Sequence, residues 1–320
     1  MNISNKIHIP FLFITTVLII IFLTSCTTPS TPLAPPLQTP PPSPVILDAL
    51  PHDASLHHLT NPTFVSISEA NQFIDDNDHV LAINYGNEQK LYPLSILLWH
   101  EVINDHIADT PVLITYCPLC GSAEVYERTI TTRLGKKQTL EFKTTGKVLD
   151  SAIIIEDTNT SSLFVELNGT AITGPLQGTT LSKLDASIVF YRDWKNKYPL
   201  SKVLSLSTGY DEPYGTDPYT PYYTNNQILL PMSRSDPRLH PKEPIIGIKI
   251  AREAVAFKES DIKKLGVVSY TLAGVQLRIQ VDDTGSIHIE KKSTNETLSS
   301  TRAFWYVWAA HNPTTSIYSQ

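Results

Sequence analysis

WHEVINDHIADTPVLITYCPLCGSAEVYER, residues 99–128, is the stretch on which the fold turns. TPVLITYC (Thr110–Cys117) reads as a strand and HEVIND (His100–Asp105) as another, with turn-like HIAD between them. Together they make a hairpin. If its turn centres between residues 107 and 108, facing residues sum to about 215 and His100 faces Thr115. A small register change brings His100 opposite Cys117. Beyond Gly121-Ser122, AEVYERTI alternates as a strand does. In one alternative fold the second cysteine of a CPxxC lies in a helix. The strand that follows here disfavours that fold and leaves CPLC as a turn between strands.

The rest of the chain agrees. Segments rich in Val, Ile, Thr and Tyr recur between turn signals: His79–Tyr85, Thr139–Thr144, Ala152–Asp157, Ile245–Ile250, Val267–Leu272, Gln276–Val281 and Ser286–Glu290. Short helices are expected at Ser66–Phe73, Pro93–Trp99, Arg192–Lys197 and Phe304–Ala310. The fold class is a β-rich α+β fold. Two landmarks also repeat. Val80–Ile83 with Glu88 and Tyr92 lines up with Ile245–Ile248, Glu253 and Phe257, an offset of 165. Trp194, Pro199 and Ser201 line up with Trp308, Pro313 and Thr315, an offset of 114. The first copy is thus longer by 165 − 114 = 51 residues, within the span that carries CPLC. The expectation is two related β lobes with short helices, residues 46–230 with the CPLC site and a shorter second lobe at 231–320.

The N-terminus sets the compartment. Lys6, an apolar run from Ile9 to Leu23 and the ending L-T-S-C form a secretory signal over residues 1–25 that resembles a bacterial lipobox. The resemblance implies cleavage before Cys26 and acylation there with a palmitate-type chain, which anchors the protein to a membrane. Residues 26–45 end in a proline-rich run, PSTPLAPPLQTPPPSPV, an extended tether without a core. The localisation expected is the cell envelope, outside the cytoplasm. A net charge of −6, with no dense Lys/Arg cluster, argues against nucleic acid as a partner.

Only three cysteines are present, and Cys26 is committed to the anchor. Cys117 and Cys120 therefore have each other or an ion as partner. Two thiolates with the His100 imidazole suit a soft metal, copper first and zinc second, with Glu101 or His311 to complete the set. The alternative is a thiol enzyme, with Cys117 as nucleophile or redox cysteine and His100 as its base. A third reading is a non-catalytic binding module with a structural cysteine pair.

Tyr92, Pro93, Leu94, Trp99, His100, Glu101, Asn104, Asp105 and the run Thr115–Ser122 together resemble the bacterial and archaeal family called domain of unknown function 3179. Later blocks around Gly174-Pro175-Leu176, Asp217-Pro218-Tyr219 and Asp236–Leu239 are similar as well. The resemblance implies an extracytoplasmic protein and assigns no activity. The family often carries Trp after Ser-Leu and Gln shortly beyond, where this chain has Phe164 and Glu166. Tyr210–Tyr223, YDEPYGTDPYTPYY, reads as an ordered loop, either pinned to the core by its tyrosines or forming a ligand wall through Tyr214, Asp217 and Tyr219.

Overall fold

In the computed structural model, the hairpin forms from Val102–Ile107 and Thr110–Cys117, with Ser122–Glu127 as the third strand. The structure describes residues 46–48, 57–132 and 134–319, so the leader, Cys26 and the tether lie outside it. The turn sits one residue later than expected. Ala108 and Asp109 occupy it at φ 45° and 65°, the two positive angles of a type I′ hairpin. The Ala108 N–H donates to Glu88 Oε2 at 2.8 Å and helps hold this costly backbone. Paired residues now sum to 217, as in Val102 with Thr115. The side chains keep their faces, and each partner moves by two.

Five sheets of four or five strands are arranged as the blades of a five-bladed propeller, beside a small hairpin at Thr129–Thr131 and Lys137–Thr139. Blade I holds His79–Tyr85, Glu88–Pro93, Ser187–Phe190, Lys202–Leu204 and Phe64–Ser66. Blade II adds Ser182–Lys183 and Leu59–Thr60 to the three strands around CPLC. Blade III consists of Phe142–Leu149, Ala152–Asp157, Leu163–Val165, Thr170–Thr173 and Leu47–Asp48. Blade IV is Pro244–Ile250, Glu253–Lys258, Thr301–Phe304 and Ser316–Ile317, and blade V is Val267–Leu272, Val275–Val281, Ile287–Lys291 and Thr297–Leu298.

Among the described residues six short helices punctuate the strands: α1 Ile67–Ala70, α2 Leu94–Leu97, α3 Tyr191–Lys197, α4 Thr220–Tyr223, α5 Glu259–Leu265 and α6 Trp305–His311. Four of them fall where the sequence puts helices: α1 and α2 are shorter than expected, α3 begins one residue earlier, and α6 is shifted one residue onward. The start of α1 is fixed by a capping box between Ser66 and Glu69. Helices α4 and α5 were not expected.

The internal repeat survives as connectivity. In blade I, His79–Tyr85 lies between Ser187–Phe190 and Glu88–Pro93, both antiparallel, and Lys202–Leu204 adds in parallel. Blade IV repeats this order and these directions with Thr301–Phe304, Pro244–Ile250, Glu253–Lys258 and Ser316–Ile317. Blades II and V likewise share a meander order. Residues 142–173 of blade III are the extra length, inserted between Ser122–Glu127 and Ser182–Lys183, and Leu47–Asp48 joins that blade from ahead of blade I.

The expectation of two lobes is corrected. Ala303, Phe304, Tyr306 and Val307 of the second copy share one core with Cys117, Cys120, Phe142 and Phe164. The Phe304 N–H also donates to the Cys120 carbonyl at 2.7 Å, and Arg302 Nη1 to the Gly121 carbonyl at 2.7 Å. Blade IV therefore packs onto the CPLC turn, and a boundary at residue 230 cuts through shared apolar contact.

Candidate functional site

Several of the residues singled out above are taken up by the architecture. The Asn104 side chain pairs with Phe142 as a strand would, donating to its carbonyl at 2.8 Å and accepting from its N–H at 2.9 Å. This joins blade II to blade III. Asp105 is buried and accepts from Lys90 Nζ at 2.7 Å and Tyr92 Oη at 2.6 Å, which joins blade II to blade I. Such a pair is retained only with its hydrogen bonds complete. Asp236 grips Arg238, whose Nη1 donates to the Thr315 carbonyl at 2.9 Å.

The cysteines remain. Cys117 and Cys120 are joined as a disulfide and are 1% and 0% exposed, so neither sulfur is open to solvent. The two sulfurs differ in surroundings. The Cys120 N–H donates to Cys117 Sγ at 3.2 Å, whereas Cys120 Sγ lies 3.0 Å from the Ser151 carbonyl oxygen. In a reduced pair the N–H favours a thiolate at Cys117, and the carbonyl, which only accepts, favours a protonated thiol at Cys120.

The second half of the chain holds an internal comparison that sequence reading missed. Thr284-Gly285-Ser286 stands where Cys120-Gly121-Ser122 stands, both between the second and third strands of their meanders. Gly285 N–H donates to the Asp282 carbonyl at 2.9 Å, as Gly121 N–H does to Pro118 at 3.3 Å. In this turn Asp282 Oδ1 accepts from Thr284 Oγ1 at 2.5 Å and from the Ser286 N–H at 3.1 Å. The shared C/T-G-S pattern was the available signal.

His100 is buried, and both its ring nitrogens are engaged elsewhere. Nδ1 lies 2.8 Å from the His57 carbonyl and Nε2 2.7 Å from Tyr214 Oη, which is 2.5 Å from Thr208 Oγ1. A carbonyl only accepts, so Nδ1 carries the proton and the neutral ring accepts from Tyr214. Burial holds the His100 pKa below its ordinary value, in keeping with this. His311 Nε2 is taken by the Leu149 carbonyl at 3.1 Å. The metal set expected from Cys117, Cys120, His100, Glu101 and His311 is thus not brought together. Among the described residues no group of three or more His, Cys, Asp or Glu side chains is placed to hold an ion.

The tyrosine segment lies against the turn as a strap. Tyr214 caps His100, and Tyr222 Oη donates to the Leu119 carbonyl at 3.1 Å, beside Tyr306 Oη at 2.9 Å. Buried Lys242 reaches the Tyr222 carbonyl and donates to the Asn225 carbonyl at 2.7 Å. Tyr219 packs against the cores of both blade II faces, and its N–H donates to Asp217 Oδ1 at 2.7 Å. The strap is pinned to the core at the points the tyrosines supply.

On the blade II face that carries Cys117 lies a buried polar strip, also missed from sequence. Thr115, Ser122 and Glu124 share that face, Thr115 being the cross-strand partner of Glu124 and Ser122 that of Cys117. Glu166, from blade III, meets them: Ser122 Oγ donates to its Oε1 at 3.0 Å and Thr115 Oγ1 at 3.4 Å. Lys183 forms an ion pair with Glu124 Oε2. Glu124 Oε1 and Glu166 Oε2 are buried without a hydrogen-bond partner. Burial raises the pKa of Glu166 to about 7. Burial, with Glu166 nearby, raises those of Glu124 and Glu101 to about 8. A cavity of about 30 Å³, room for a single water, lies among Glu124, Lys183, Glu259 and Arg302.

These features define a β-rich, propeller-like protein with a buried Cys-x-x-Cys disulfide beside a carboxyl cluster. Residues 53–315 match the family described as Protein of unknown function (DUF3179), and the chain belongs to it. No curated protein and no solved structure matches it.

Proposed function

We propose that this is a lipid-anchored protein of the cell envelope whose Cys117–Cys120 pair is a thiol–disulfide redox couple, with Cys117 as the nucleophilic sulfur. One observation carries the reading: the second half of the chain makes the equivalent turn from Asp282, Thr284 and Ser286, without cysteines. The geometry of the turn does not need a disulfide, and a bridge between residues three apart constrains little of the unfolded chain. The unequal surroundings of the two sulfurs support the same reading. The anchor rests on the signal sequence and Cys26. For His100 to join the reduced pair around a soft metal, it would have to leave Tyr214 and His57.

The test uses the full chain, detergent-solubilised, equilibrated in graded mixtures of reduced and oxidised dithiothreitol. Thiols are trapped by alkylation and counted by mass. Two thiols are expected to appear together at one midpoint while near-UV circular dichroism stays native. Thiols that appear only as the tertiary signal is lost would mark the bridge as structural. Copper or zinc retained by the reduced chain, and lost in Cys117→Ala, would return the site to the metal reading.

A further inference from the structure

We infer that Glu124 and Glu166 hold one proton between them, and that this carboxyl pair lends a proton to the cysteine pair when the disulfide opens. The inference rests on the redox reading for its second half and on geometry alone for its first.

Ser122 and Thr115 flank Glu124 on its own face, one two residues away on the strand and the other directly across. Ser122 donates to Oε1 of Glu166 at 3.0 Å, and the Thr115 hydroxyl lies 3.4 Å from both that oxygen and the Glu124 carbonyl, bridging the two residues. That double anchor sets the Glu166 carboxyl beside the Glu124 side chain. It also leaves one oxygen on each residue, Glu124 Oε1 and Glu166 Oε2, buried and unpartnered. Two ionised carboxylates there would repel at low dielectric and leave two acceptors unsatisfied. A proton on one makes it a donor to the other and satisfies both. The groups that face the pair fit a single remaining negative charge on it. Lys183 is the cation paired with Glu124; Arg302, which lines the same cavity, is paired with Glu259, and Glu101 and the buried Tyr126 bring no positive charge.

The pair is tied to the turn that holds the sulfurs from two sides. Ser122, which holds Glu166, is the cross-strand partner of Cys117, so their side chains are neighbours. Across the interface, the Glu166 N–H donates to the Ile153 carbonyl at 3.0 Å, and Ser151, two residues before Ile153, supplies the carbonyl beside Cys120 Sγ. A dithiol opens the bridge in two exchanges. Its thiolate attacks Cys117 Sγ, forming a mixed disulfide and breaking the Cys117–Cys120 bond. Cys120 leaves as a thiolate, takes the proton from the carboxyl pair and becomes the thiol that donates to Ser151. The reductant's second thiol gives its proton back to the pair, attacks its own sulfur in the mixed disulfide and departs as a cyclic disulfide. Cys117 remains as the thiolate that accepts the Cys120 N–H. Two electrons pass to the cysteines and the carboxyl pair ends as it began.

Two measurements on the detergent-solubilised full chain test this. The first is infrared difference spectroscopy between pH 5 and pH 9, on Glu166→Gln, Glu124→Gln and the unaltered protein. A protonated-carboxyl band lost in both single variants is expected; its persistence in both overturns the shared proton. The second is the rate at which dithiothreitol opens the bridge at pH 7. Each variant should open about 100-fold more slowly, with the double variant no slower than either, because the two carboxyls act as a unit. Ser122→Ala, which keeps both carboxyls but frees Glu166, should slow opening by a smaller factor. Variants that open as fast as the unaltered chain, with the same pH profile, overturn proton lending. If the unaltered chain does not open while folded, the redox reading has failed, and the infrared result still decides the shared proton.

Discussion

Trp194 and Trp308 stand in equivalent places in the two copies of the repeat, and each donates its indole N–H to a hydroxyl seven residues on. Trp194 Nε1 meets Ser201 Oγ at 3.0 Å, and Trp308 Nε1 meets Thr315 Oγ1 at 3.0 Å. Each tryptophan lies on a helix, α3 or α6, and its acceptor just before the strand that adds in parallel to the blade. The bond therefore fixes where the returning chain enters the sheet. Ser201→Ala and Thr315→Val should each destabilise the fold by about 1–3 kcal/mol, because each strands a buried donor. Denaturant titration of the two variants checks this, and a cost confined to one of them would deny the equivalence.

Much of this was legible in the sequence. Alternation and turn residues fix His79–Tyr85, Ala152–Asp157 and Val267–Leu272 as strands, and all three have those bounds. Periodicity cannot report how sheets pack, so the same repeat that marks two copies does not reveal that they share a core. The hairpin register slipped because Ala108-Asp109 lacks the Asn-Gly or Asp-Gly signal of a type I′ turn; its support, Glu88, comes from another blade. The carboxyl cluster was illegible for a related reason. A Glu in an alternating strand reads as solvent-facing, and nothing local says that Glu124 faces Glu166 of an inserted blade.

Removing the disulfide should matter little to the fold. The chain-entropy relation gives about 2 kcal/mol for so short a loop. Cys117→Ala with Cys120→Ala should lower stability by about that amount or less and leave the far-ultraviolet spectrum unchanged. A double variant that does not fold would make the bridge structural.

The carboxyl cluster sets a pH dependence with a definite sign. Burial keeps a proton on the folded Glu124–Glu166 pair up to about 7 to about 8, above the ordinary 4.5 of either carboxyl. Between those values the folded chain binds more protons than the unfolded one, so their contribution is fully present below about 4.5 and is lost as pH rises through 7 to 8. His100 and His79, with pKa values lowered by burial, act oppositely, but only as pH falls below about 6.5. Above pH 6.5 Glu101, raised to about 8 by burial, and His288, raised by its hydrogen bond to Asp185, act in the same direction as these carboxyls, so the single variant Glu166→Gln isolates the contribution of Glu166. Glu166→Gln should gain stability relative to the unaltered chain as pH rises from 6.5 to 8.5, followed by thermal melts in matched buffers. Parallel pH curves for the two proteins would show that Glu166 is ionised throughout.

Tyr214→Phe removes the hydroxyl that donates to His100 Nε2. The buried nitrogen loses its donor, at a cost of about 1–3 kcal/mol, and the strap loses a pin near the site. Its remaining ties, Tyr222 to Leu119 and Lys242 to Asn225, stay in place. The expectation is raised hydrogen exchange confined to residues near 208–219, with the protection of blade II intact. Exchange that rises across blade II instead would make Tyr214 part of the core rather than a strap contact.

The two copies also supply a controlled pair of substitutions at the turn itself. Gly121 and Gly285 occupy equivalent positions with φ of +64° and +82°. Placing Ala at either should cost about 1–2 kcal/mol for the left-handed backbone. They differ in what a Cβ would meet. At Gly121 it would lie 2.8 Å from Cδ1 of the Phe304 ring, whereas at Gly285 nothing lies within 4 Å. Phe304 cannot swing aside freely, because its N–H is held by the Cys120 carbonyl and its ring packs in the shared core. Gly121→Ala should therefore cost about 1–3 kcal/mol more than Gly285→Ala, the usual range for overpacking. It should also change the rate at which the Cys117–Cys120 bridge opens, which Gly285→Ala should not. Equal losses of stability in the two variants would mean that blade IV does not clamp the CPLC turn, and the shared core drawn across residue 230 would lose its main support.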